Sequence, residues 1–451
     1  MITPRTRLIR ATALIALPLA LWAAAEPAAG QAAMSIFGAF LVIALADAAL
    51  SLNLLDRVSA SYPDVVRLTK DQDGEALLTL ESAQAGSRPL GVGISFPPGL
   101  SSPHEQIVTA LPEGSGRALV PWPITAGRRG NFALENIYLE AASRLGFWSI
   151  RKTSPARAEV RVYPNLRGER KNLAALFLNR GAFGLHAQRQ LGKGREFEKL
   201  RDYIPGDGLE DIHWKATAKR GRPISKVYQI ERTQEVYVAI DASRLSGRTV
   251  EIKANEGEGV GETVTQLERF ITAAMVLGLV AEKQGDLFGM IAFNDQVRRF
   301  VRARNGKAHY HLIRDALYAL EPSPVNPDFA ELASFARLKL RRRSLIIFLT
   351  NLDDPVLAES FLANIEVLAR HHLVLVNMLT APGVRPLFTA PDVAAADDLY
   401  QRLGGHIQWR KLRELIKVLK RRGVSMALIE NERMCPELVS QYINVKRRQL
   451  L

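Results

Sequence analysis

The first 57 residues contain two long apolar segments, which constrain the fold of this chain more than any other feature. Residues 11–25, ATALIALPLALWAAA, carry no charge, and residues 34–55, MSIFGAFLVIALADAALSLNLL, are interrupted only by Asp47. A helix that spans the hydrocarbon core of a bilayer needs about 20 predominantly apolar residues. The second segment meets that length, and the first meets it with part of the linker EPAAGQAA. Residues 1–57 are therefore predicted to form a transmembrane helical hairpin.

Basic residues flank this hairpin on both outer sides. Arg5, Arg7 and Arg10 precede the first segment, and Arg57 follows the second. The positive-inside rule then places both ends in the cytoplasm. The alternative is a cleavable signal peptide in the first segment, because WAAAEPAA offers small-residue cleavage positions. The second segment would then stop transfer, and the remaining chain would still be cytoplasmic. For Asp47 we expect an interfacial position or a pairing role in preference to an intramembrane functional acid.

Residues 58–165 alternate between short strand-like runs and turn signals. Runs such as EALLTLES, LGVGISF and AEVRVYP are separated by Gly and Pro. Several short strands with turns between them predict an all-β sandwich module. The stretch RRGNFALENIYLEAASRLGFWSIRK, residues 128–152, is predicted to form two strands joined by a glycine-containing turn. Catalytic residue types do not gather in this module, so we interpret it as a spacer or an adhesion module that stands on the membrane.

Residues 236–432 alternate between apolar runs and amphipathic helical patterns. The strand-like runs VYVAID, LFGMIAF, SLIIFLT, HLVLVNML and VSMALIE are separated by helical patterns such as HYHLIRDALYAL. This alternation predicts a doubly wound α/β domain with a parallel sheet. Ligands of such sheets bind beyond the carboxyl ends of the strands. We assign residues 166–235 to a linker segment and residues 433–451 to a basic C-terminal tail.

The charge and the motifs of the chain exclude several classes of function. The net charge is +14, from 60 Lys and Arg against 46 Asp and Glu, which favours an anionic membrane surface or an acidic partner. The basic groups are short and carry no interleaved aromatic residues, so nucleic-acid binding is not expected. Neither a G-x-x-x-x-G-K-[ST] loop nor a G-x-S-x-G elbow occurs, and we predict no catalytic residues. The single cysteine, Cys435, excludes an intramolecular disulfide.

The linker segment carries the most specific motif in the chain. GREF at 194–197 is followed by LRDY at 200–203, PGD at 205–207 and IHWKATA at 212–218. This order resembles the signature of the domain-of-unknown-function family fifty-eight, and the resemblance extends over about residues 85–430. The family usually has Arg where this chain has Glu210, which reverses a charge of the motif.

The motif also has a physical interpretation as a structural clasp. Pro205, Gly206 and Asp207 are typical of a turn, and Trp214 has the large apolar face of a buried anchor. The charged side chains of the motif are expected to form a network that docks the segment against the following domain. The residues of the predicted clasp are Glu196, Phe197, Arg201, Tyr203, Pro205, Gly206, Asp207, His213, Trp214 and Lys215.

The family resemblance implies an architecture, a location and a partner. Such proteins are bacterial and membrane-associated, couple a β-sandwich to a von Willebrand factor A-like domain, and are commonly linked to AAA+ ATPases of the MoxR type. By this resemblance the chain is expected in the bacterial inner membrane, with its bulk in the cytoplasm and a MoxR-type ATPase as partner. We therefore predict a non-enzymatic, membrane-anchored scaffold for protein interactions. The sequence leaves the oligomeric state open.

A metal-dependent binder or enzyme is the alternative function. Asp241 and Ser243 follow the first strand of the α/β domain, and Asp353 follows a later one. These oxygens outline a von Willebrand-type site for Mg²⁺ or Mn²⁺. The site is degenerate, because Leu245 replaces the second serine of Asp-x-Ser-x-Ser and the loop EPSPVNPDFAELAS has no threonine. Arg244 either puts a positive charge at the cation position or points away. We expect no cofactor and interpret Asp241 and Ser243 as caps of loops or helix ends.

Overall fold

The computed structural model describes the chain except for residues 83–88, 111–115, 170–190, 206–207, 230–233, 253–261, 390–395, 449 and 451. The chain divides into two compact units, Met1–Asn165 and Leu166–Leu451. The first unit contains the two apolar segments and a β-rich part, and the second contains the motif segment and an α/β part.

Two apolar helices, α1 (Thr6–Ala25) and α2 (Gly30–Ser51), stand near the start of the first unit. Both are long and apolar enough to cross a membrane, and α1 has no buried residue. The predicted helical character of the two apolar segments is therefore confirmed. The hairpin does not account for all of residues 1–57, because the strand Ile2–Pro4 joins the sheet of the β-rich part by pairing Ile2 with Ile150.

The β-rich part of the first unit is built from two sheets. Its strands are β1 (Ile2–Pro4), β2 (Val58–Ser61), β3 (Val65–Thr69), β4 (Asp73–Ser82), β5 (Pro89–Ile94), β6 (Leu100–Ser101), β7 (Gln106–Ala110), β8 (Arg117–Ala126), β9 (Gly130–Ala142) and β10 (Trp148–Tyr163). One sheet has the order β1-β10-β9-β5-β7, with β3 paired in parallel to β10, and the other has the order β2-β4-β8-β6.

Side chains from both sheets meet in one hydrophobic core. In β4 the side chains of Ala76, Leu78 and Leu80 are buried, whereas those between them are partly or fully exposed. Trp122 of β8 and Val160 of β10 belong to the same core. Successive side chains of a strand point to opposite faces, so the alternating sequence places one apolar face of each strand in the core.

The central feature of the second unit is a six-stranded sheet. The strands of this unit are β11 (Leu191–Asp202), β12 (Ile224–Gln229), β13 (Glu235–Asp241), β14 (Thr249–Ile252), β15 (Glu262–Thr265), β16 (Leu287–Phe293), β17 (Val297–Arg304), β18 (Leu345–Leu349), β19 (Leu373–Leu379) and β20 (Ser425–Ile429). The sheet has the order β17-β16-β13-β18-β19-β20 and is parallel except for the edge strand β17. The five apolar runs of the sequence form its five parallel strands.

Helices pack on both faces of this sheet. Among the described residues, the helices of the unit with both ends given are α3 (Trp214–Arg220), α4 (Gln266–Lys283), α5 (Lys307–Leu317), α6 (Phe329–Lys339), α7 (Pro355–Ala369), α8 (Ala396–Arg421) and α9 (Met434–Arg447). Val236 and Val238 of β13 share a core with α4 and α9. Tyr237 and Ala239, which point to the other face, share a second core with α6 and α7. Because both faces are covered, β13 is apolar along almost its whole length.

Residues 433–451 do not form a separate basic tail, so this prediction is wrong. Helix α9 occupies most of the segment and buries Cys435, Leu438 and Tyr442 in the core that it shares with α4. These positions recur with helical spacing and form one apolar stripe, while the basic residues of the helix, Lys446 and Arg447, lie in its last turn. The burial of that stripe makes the segment a part of the α/β fold.

Candidate functional site

The loops that follow β13 and β18 meet at the carboxyl edge of the sheet. Asp241 is the last residue of β13, which has a parallel neighbour on each side. Thr350 follows β18 directly, and its Oγ1 donates a hydrogen bond of 2.6 Å to Asp241 Oδ2. Both side chains are buried. We call Asp241, Ser243, Thr350, Asn351 and Asp353 the strand-end site.

The carboxylate of Asp241 braces the loop that follows its own strand. Its Oδ1 accepts a hydrogen bond of 2.8 Å from the backbone amide of Ser243. Burial raises the pKa of Asp241, because charge is disfavoured away from water, while the contacts with Thr350 and Ser243 lower it in part. The carboxylate is therefore held by neutral donors of the protein in a dry position.

The two serines after Asp241 have different environments. Ser243 is fully buried, and within the described residues its hydroxyl makes no well-directed hydrogen bond, although its proximity lowers the pKa of Asp241. Ser246 donates its hydroxyl to the Ser243 carbonyl at 2.7 Å. The Ser246 hydroxyl is thus used in a hydrogen bond within the turn, and it does not replace the missing second serine of a metal motif.

Asp353 is paired with an arginine that the sequence analysis did not single out. The Arg248 guanidinium donates to Asp353 Oδ2, while Asp353 Oδ1 is buried without a hydrogen-bond partner in the part of the chain that the structure describes. The Asp353 amide donates to Asn351 Oδ1 at 3.2 Å. Of the three predicted metal ligands, Asp241 and Ser243 lie together, and Asp353 belongs to a second hydrogen-bonded group. No sequence signal marks Arg248, since it lies in a short polar loop.

Arg244 reaches away from the strand end. Its Nε donates to Asn326 Oδ1 at 2.5 Å, and its Nη2 lies 3.6 Å from Asp354 Oδ2. The Arg244 backbone amide donates to the Val325 carbonyl at 2.9 Å, so the loop before α6 contacts the loop that follows β13. Of the two orientations considered for Arg244, the structure has the one that points away from the cation position, and the side chain stays about half exposed beside Asn326 and Asp354.

The chemistry available at the strand-end site is that of hard oxygen donors. Among the residues with described positions, no group of three or more His, Cys, Asp or Glu side chains is arranged to hold a metal ion. The Ser243 hydroxyl lacks a hydrogen-bonded base within the same part of the chain.

The motif segment forms a strand pair followed by one short helix. In β11, Glu196 and Phe197 pair through their backbones with Gln229 and Tyr228 of β12, and the pairing continues to Arg201. The Tyr203 amide donates to the Pro223 carbonyl at 3.0 Å. Pro205 is exposed, and the predicted turn residues Gly206 and Asp207 lie outside the described residues.

Helix α3 carries the other predicted clasp residues, and it corrects the assignment of Trp214 as a buried anchor. His213 caps the helix, because its Nδ1 accepts a hydrogen bond of 3.0 Å from the Ala216 amide. Trp214 opens the helix with 69% of its surface exposed, and Lys215 is also exposed. Ile212, on the other side of the cap, is the buried apolar residue. The capped helix start turns the Trp214 ring outward within this unit.

A family comparison covers the motif from Leu200 onward and much of the sheet. Residues 199–383 match the family model DUF58, described as a protein of unknown function. The resemblance drawn from the motif is confirmed over this segment. Uncharacterized proteins from Mycobacterium bovis and Mycobacterium tuberculosis are 23% identical to the chain over 208 residues. The matched region is 46% of this chain and 61% of those relatives.

Comparison with solved structures gives low overall similarity. Proximal thread matrix protein 1 from the mussel byssus aligns with a TM-score of 0.25 at 11% identity, covering 46% of this chain and 44% of that one. An uncharacterized membrane-spanning protein from Vibrio fischeri aligns with a TM-score of 0.18 at 17% identity, covering 46% of this chain and 96% of that one. At these TM-scores the alignments carry no structural argument.

Proposed function

We propose that the chain is a membrane-anchored scaffold for protein interactions, with its α/β domain in the cytoplasm and a MoxR-type AAA+ ATPase as partner. The two apolar helices support the anchor, and the family resemblance supports the inner-membrane location and the partner. The parallel sheet with helices on both faces supports a doubly wound, von Willebrand factor A-like fold for the partner-binding domain. The two sheets of the first unit support a β-sandwich spacer. No catalysis is assigned to the chain.

The hydrogen bonding of Asp241 carries this proposal. Both of its carboxylate oxygens are engaged by donors of the same protein, the Thr350 hydroxyl and the Ser243 amide. A buried carboxylate held in this way serves to fix the shape of the loop between β13 and β14. That loop presents Arg244 and Arg248 with about half of each side chain exposed. A rigid loop with exposed guanidinium groups suits recognition of an acidic protein surface.

The proposal is tested by measuring the affinity of the full-length chain, in lipid nanodiscs, for the purified MoxR-type ATPase of the same organism. Arg244→Glu is expected to weaken binding about tenfold, because it places a like charge against an acidic partner surface. Arg337→Glu is the matched control. Arg337 is exposed near the end of α6, at the sheet edge where β18 begins.

Two results contradict this scaffold mechanism. Absence of binding by the unmodified chain removes the ATPase as partner. An equal loss of affinity in Arg244→Glu and Arg337→Glu shows that the strand-end loop is not the contact surface.

Metal-dependent binding or catalysis at Asp241, Ser243 and Asp353 is the second candidate function. Two buried oxygen atoms favour it, Ser243 Oγ and Asp353 Oδ1, neither of which has a well-directed hydrogen bond to any residue that the structure describes. With the Asp241 carboxylate they offer the oxygen donors that Mg²⁺ and Mn²⁺ prefer. A cation held by these residues, with water completing its shell, would supply a Lewis-acidic contact for an acidic ligand.

Isothermal titration of Mg²⁺ and Mn²⁺ into the full-length chain in detergent distinguishes the two functions. Saturable binding that is lost in both Asp241→Asn and Asp241→Ala would establish a metal site. Absence of heat at millimolar metal would eliminate the second candidate. Asp241→Asn is the sharper variant, because it removes the charge and keeps the size of the side chain.

A further inference from the structure

The turn between β9 and β10 is bonded to helix α2. Ser143 donates its hydroxyl to Asp47 Oδ2 at 2.6 Å, and the Leu145 amide donates to Asp47 Oδ1 at 3.0 Å. The Arg144 amide donates to Ser51 Oγ at 3.2 Å. Asp47 is buried, so the pairing role predicted for it is confirmed. We call residues 143–148, SRLGFW, the β9–β10 turn.

Aromatic residues of the same turn lie along the helices. Trp148 Nε1 donates to the Ala44 carbonyl at 2.8 Å, and the Phe147 ring meets the Phe40 ring edge to face at 6.0 Å. The Phe147 carbonyl accepts a hydrogen bond of 2.9 Å from the Arg5 amide, where α1 begins. The turn is therefore fixed to the start of α1 and to the second half of α2.

These contacts set the depth of the turn when the helices span a bilayer. At 1.5 Å per residue, Ala44 lies about 10 Å and Phe40 about 16 Å before the end of α2 at Ser51. The headgroup layer on each side of a bilayer is roughly 5–8 Å thick. With Ser51 at the outer surface of that layer, the contact of Trp148 lies about 2–5 Å below its inner boundary and the contact of Phe147 about 8–11 Å below it, in the outer part of the acyl region.

Cationic side chains lie beside the same turn. Arg5, Arg7 and Arg10 are exposed at the start of α1, and Arg144 is exposed in the turn. None of the four makes an ion pair with a carboxylate in the described part of the chain. Gly146 has φ +78°, and a Cβ atom there would lie 3.2 Å from Arg7 Nη1. The glycine therefore allows the Arg7 guanidinium to lie directly against the turn.

Leu145 adds an apolar group to this cationic surface. It stands at the tip of the turn with 54% of its surface exposed, beside Arg144. Binding to a bilayer surface uses an apolar side chain that inserts and cations that contact the headgroup phosphates. The turn offers both, because Leu145 is exposed and lies beside arginines without an ion pair in the described residues.

We propose that the β9–β10 turn, together with Arg5, Arg7 and Arg10, is a binding site for the headgroups of anionic phospholipids. Leu145 inserts into the outer acyl region, and the arginines contact the phosphates. The carboxylate of Asp47 fixes the turn to α2 and so holds Leu145 and Arg144 at the membrane surface. This inference rests on the proposed membrane anchor, since the helices bring the turn to the bilayer.

Fluorescence of site-specific labels tests the insertion of the turn. The native Cys435 is fully buried, so an environment-sensitive maleimide dye reports on an introduced cysteine in the folded chain. Leu145→Cys is compared with Leu14→Cys in α1 and with Ala133→Cys. Ala133 is exposed on β9, about 30 Å along the strand from the turn. The chains are placed in nanodiscs of phosphatidylcholine with and without 30% phosphatidylglycerol.

The labels separate failure of this inference from failure of the anchor. We expect the Leu145 label to emit at a wavelength close to that of the Leu14 label, and the Ala133 label to emit as in water. If the Leu145 label emits as in water while the Leu14 label emits as in lipid, the insertion of the turn is contradicted and the membrane anchor is not. Labels in water at both Leu145 and Leu14 overturn the anchor.

Lipid selectivity tests the cationic part of the site. Phosphatidylglycerol bound to the full-length chain in mixed micelles is expected to fall about fivefold for each arginine removed, as in Arg144→Gln and Arg7→Gln. Arg128→Gln is the control, because Arg128 is exposed in the turn before β9, at the opposite end of that strand. Unchanged lipid selectivity in Arg144→Gln and Arg7→Gln would contradict headgroup binding by the turn.

Discussion

Substitution of Asp241 separates a loop-bracing role from a metal-binding role. Asparagine keeps the size of the side chain and one acceptor oxygen for the Ser243 amide, and the Thr350 hydroxyl can rotate to accept from the new amide group. Alanine leaves the Thr350 hydroxyl and the Ser243 amide buried without their partner. If Asp241 braces the loop, Asp241→Asn is at least as stable as the wild type at pH 7, and Asp241→Ala is less stable.

The magnitude for alanine follows from the two hydrogen bonds. A buried polar group left unsatisfied costs about 1–3 kcal/mol, so two groups lower the free energy of unfolding by about 2–6 kcal/mol. For a domain of this size the melting temperature falls by about 2–4 °C per kcal/mol, which predicts a decrease of about 4–24 °C. Asparagine avoids this loss and also removes a carboxyl group whose pKa is raised by burial.

Differential scanning fluorimetry of the full-length chain in detergent measures both variants. Asp295→Ala is the control, because the Asp295 carboxylate is exposed and pairs only with the exposed Arg298 in the described structure. Equal melting temperatures for Asp241→Asn and Asp241→Ala would refute the reasoning. An asparagine variant as unstable as the alanine variant would show that the charge itself is required, as at a metal site.

Three further outcomes are expected. The pKa of Asp241 is raised in the folded state, so the contribution of this group to stability is complete below its unfolded-state pKa and is lost as the pH rises through its folded-state pKa. The wild type should therefore lose stability relative to Asp241→Asn from about pH 4 upward. Urea unfolding at several pH values measures this difference. Tyr442→Phe removes the hydroxyl that donates to buried Asp286 and should lower the free energy of unfolding by about 1.5–3 kcal/mol in the same assay. An unchanged free energy of unfolding would exclude a structural role for this hydroxyl. Burial raises the pKa of the Cys435 thiol, so maleimide should label it only when the domain unfolds, and rapid labelling at neutral pH would show that α9 detaches.

The C-terminal helix shows how a local pattern can be present in a sequence and still be misinterpreted. The basic residues of 433–451 led to the prediction of a tail, whereas Cys435, Leu438 and Tyr442 recur with the period of one helix face. Asp286 accepts hydrogen bonds from Tyr442 and from Lys446, the latter at 2.8 Å. The apolar stripe was available from the sequence, but the buried carboxylate that receives α9 lies about 160 residues away.

Features with a local cause were determined by the sequence alone. The two apolar helices follow from uninterrupted apolar length, and the five parallel strands follow from short apolar runs between helical patterns. The turn between β9 and β10 follows from a glycine between two alternating runs, and Gly146 adopts the positive φ that glycine permits. Each of these features depends on residues close together in the chain, so their periodicity and turn chemistry were sufficient to predict them.

The tertiary structure alone decided which distant side chains meet. Thr350 donates to Asp241 across 109 positions, and Arg248 pairs with Asp353 across 105. Both contacts depend on the order and register of parallel strands, which local patterns do not encode. The exposure of Trp214 was also decided at this level, because a helix cap sets the direction of its ring. Hydrophobic periodicity specifies which face of a helix or strand is buried. The side chains that contact each other at the edge of a sheet are determined only by the order and register of the assembled strands.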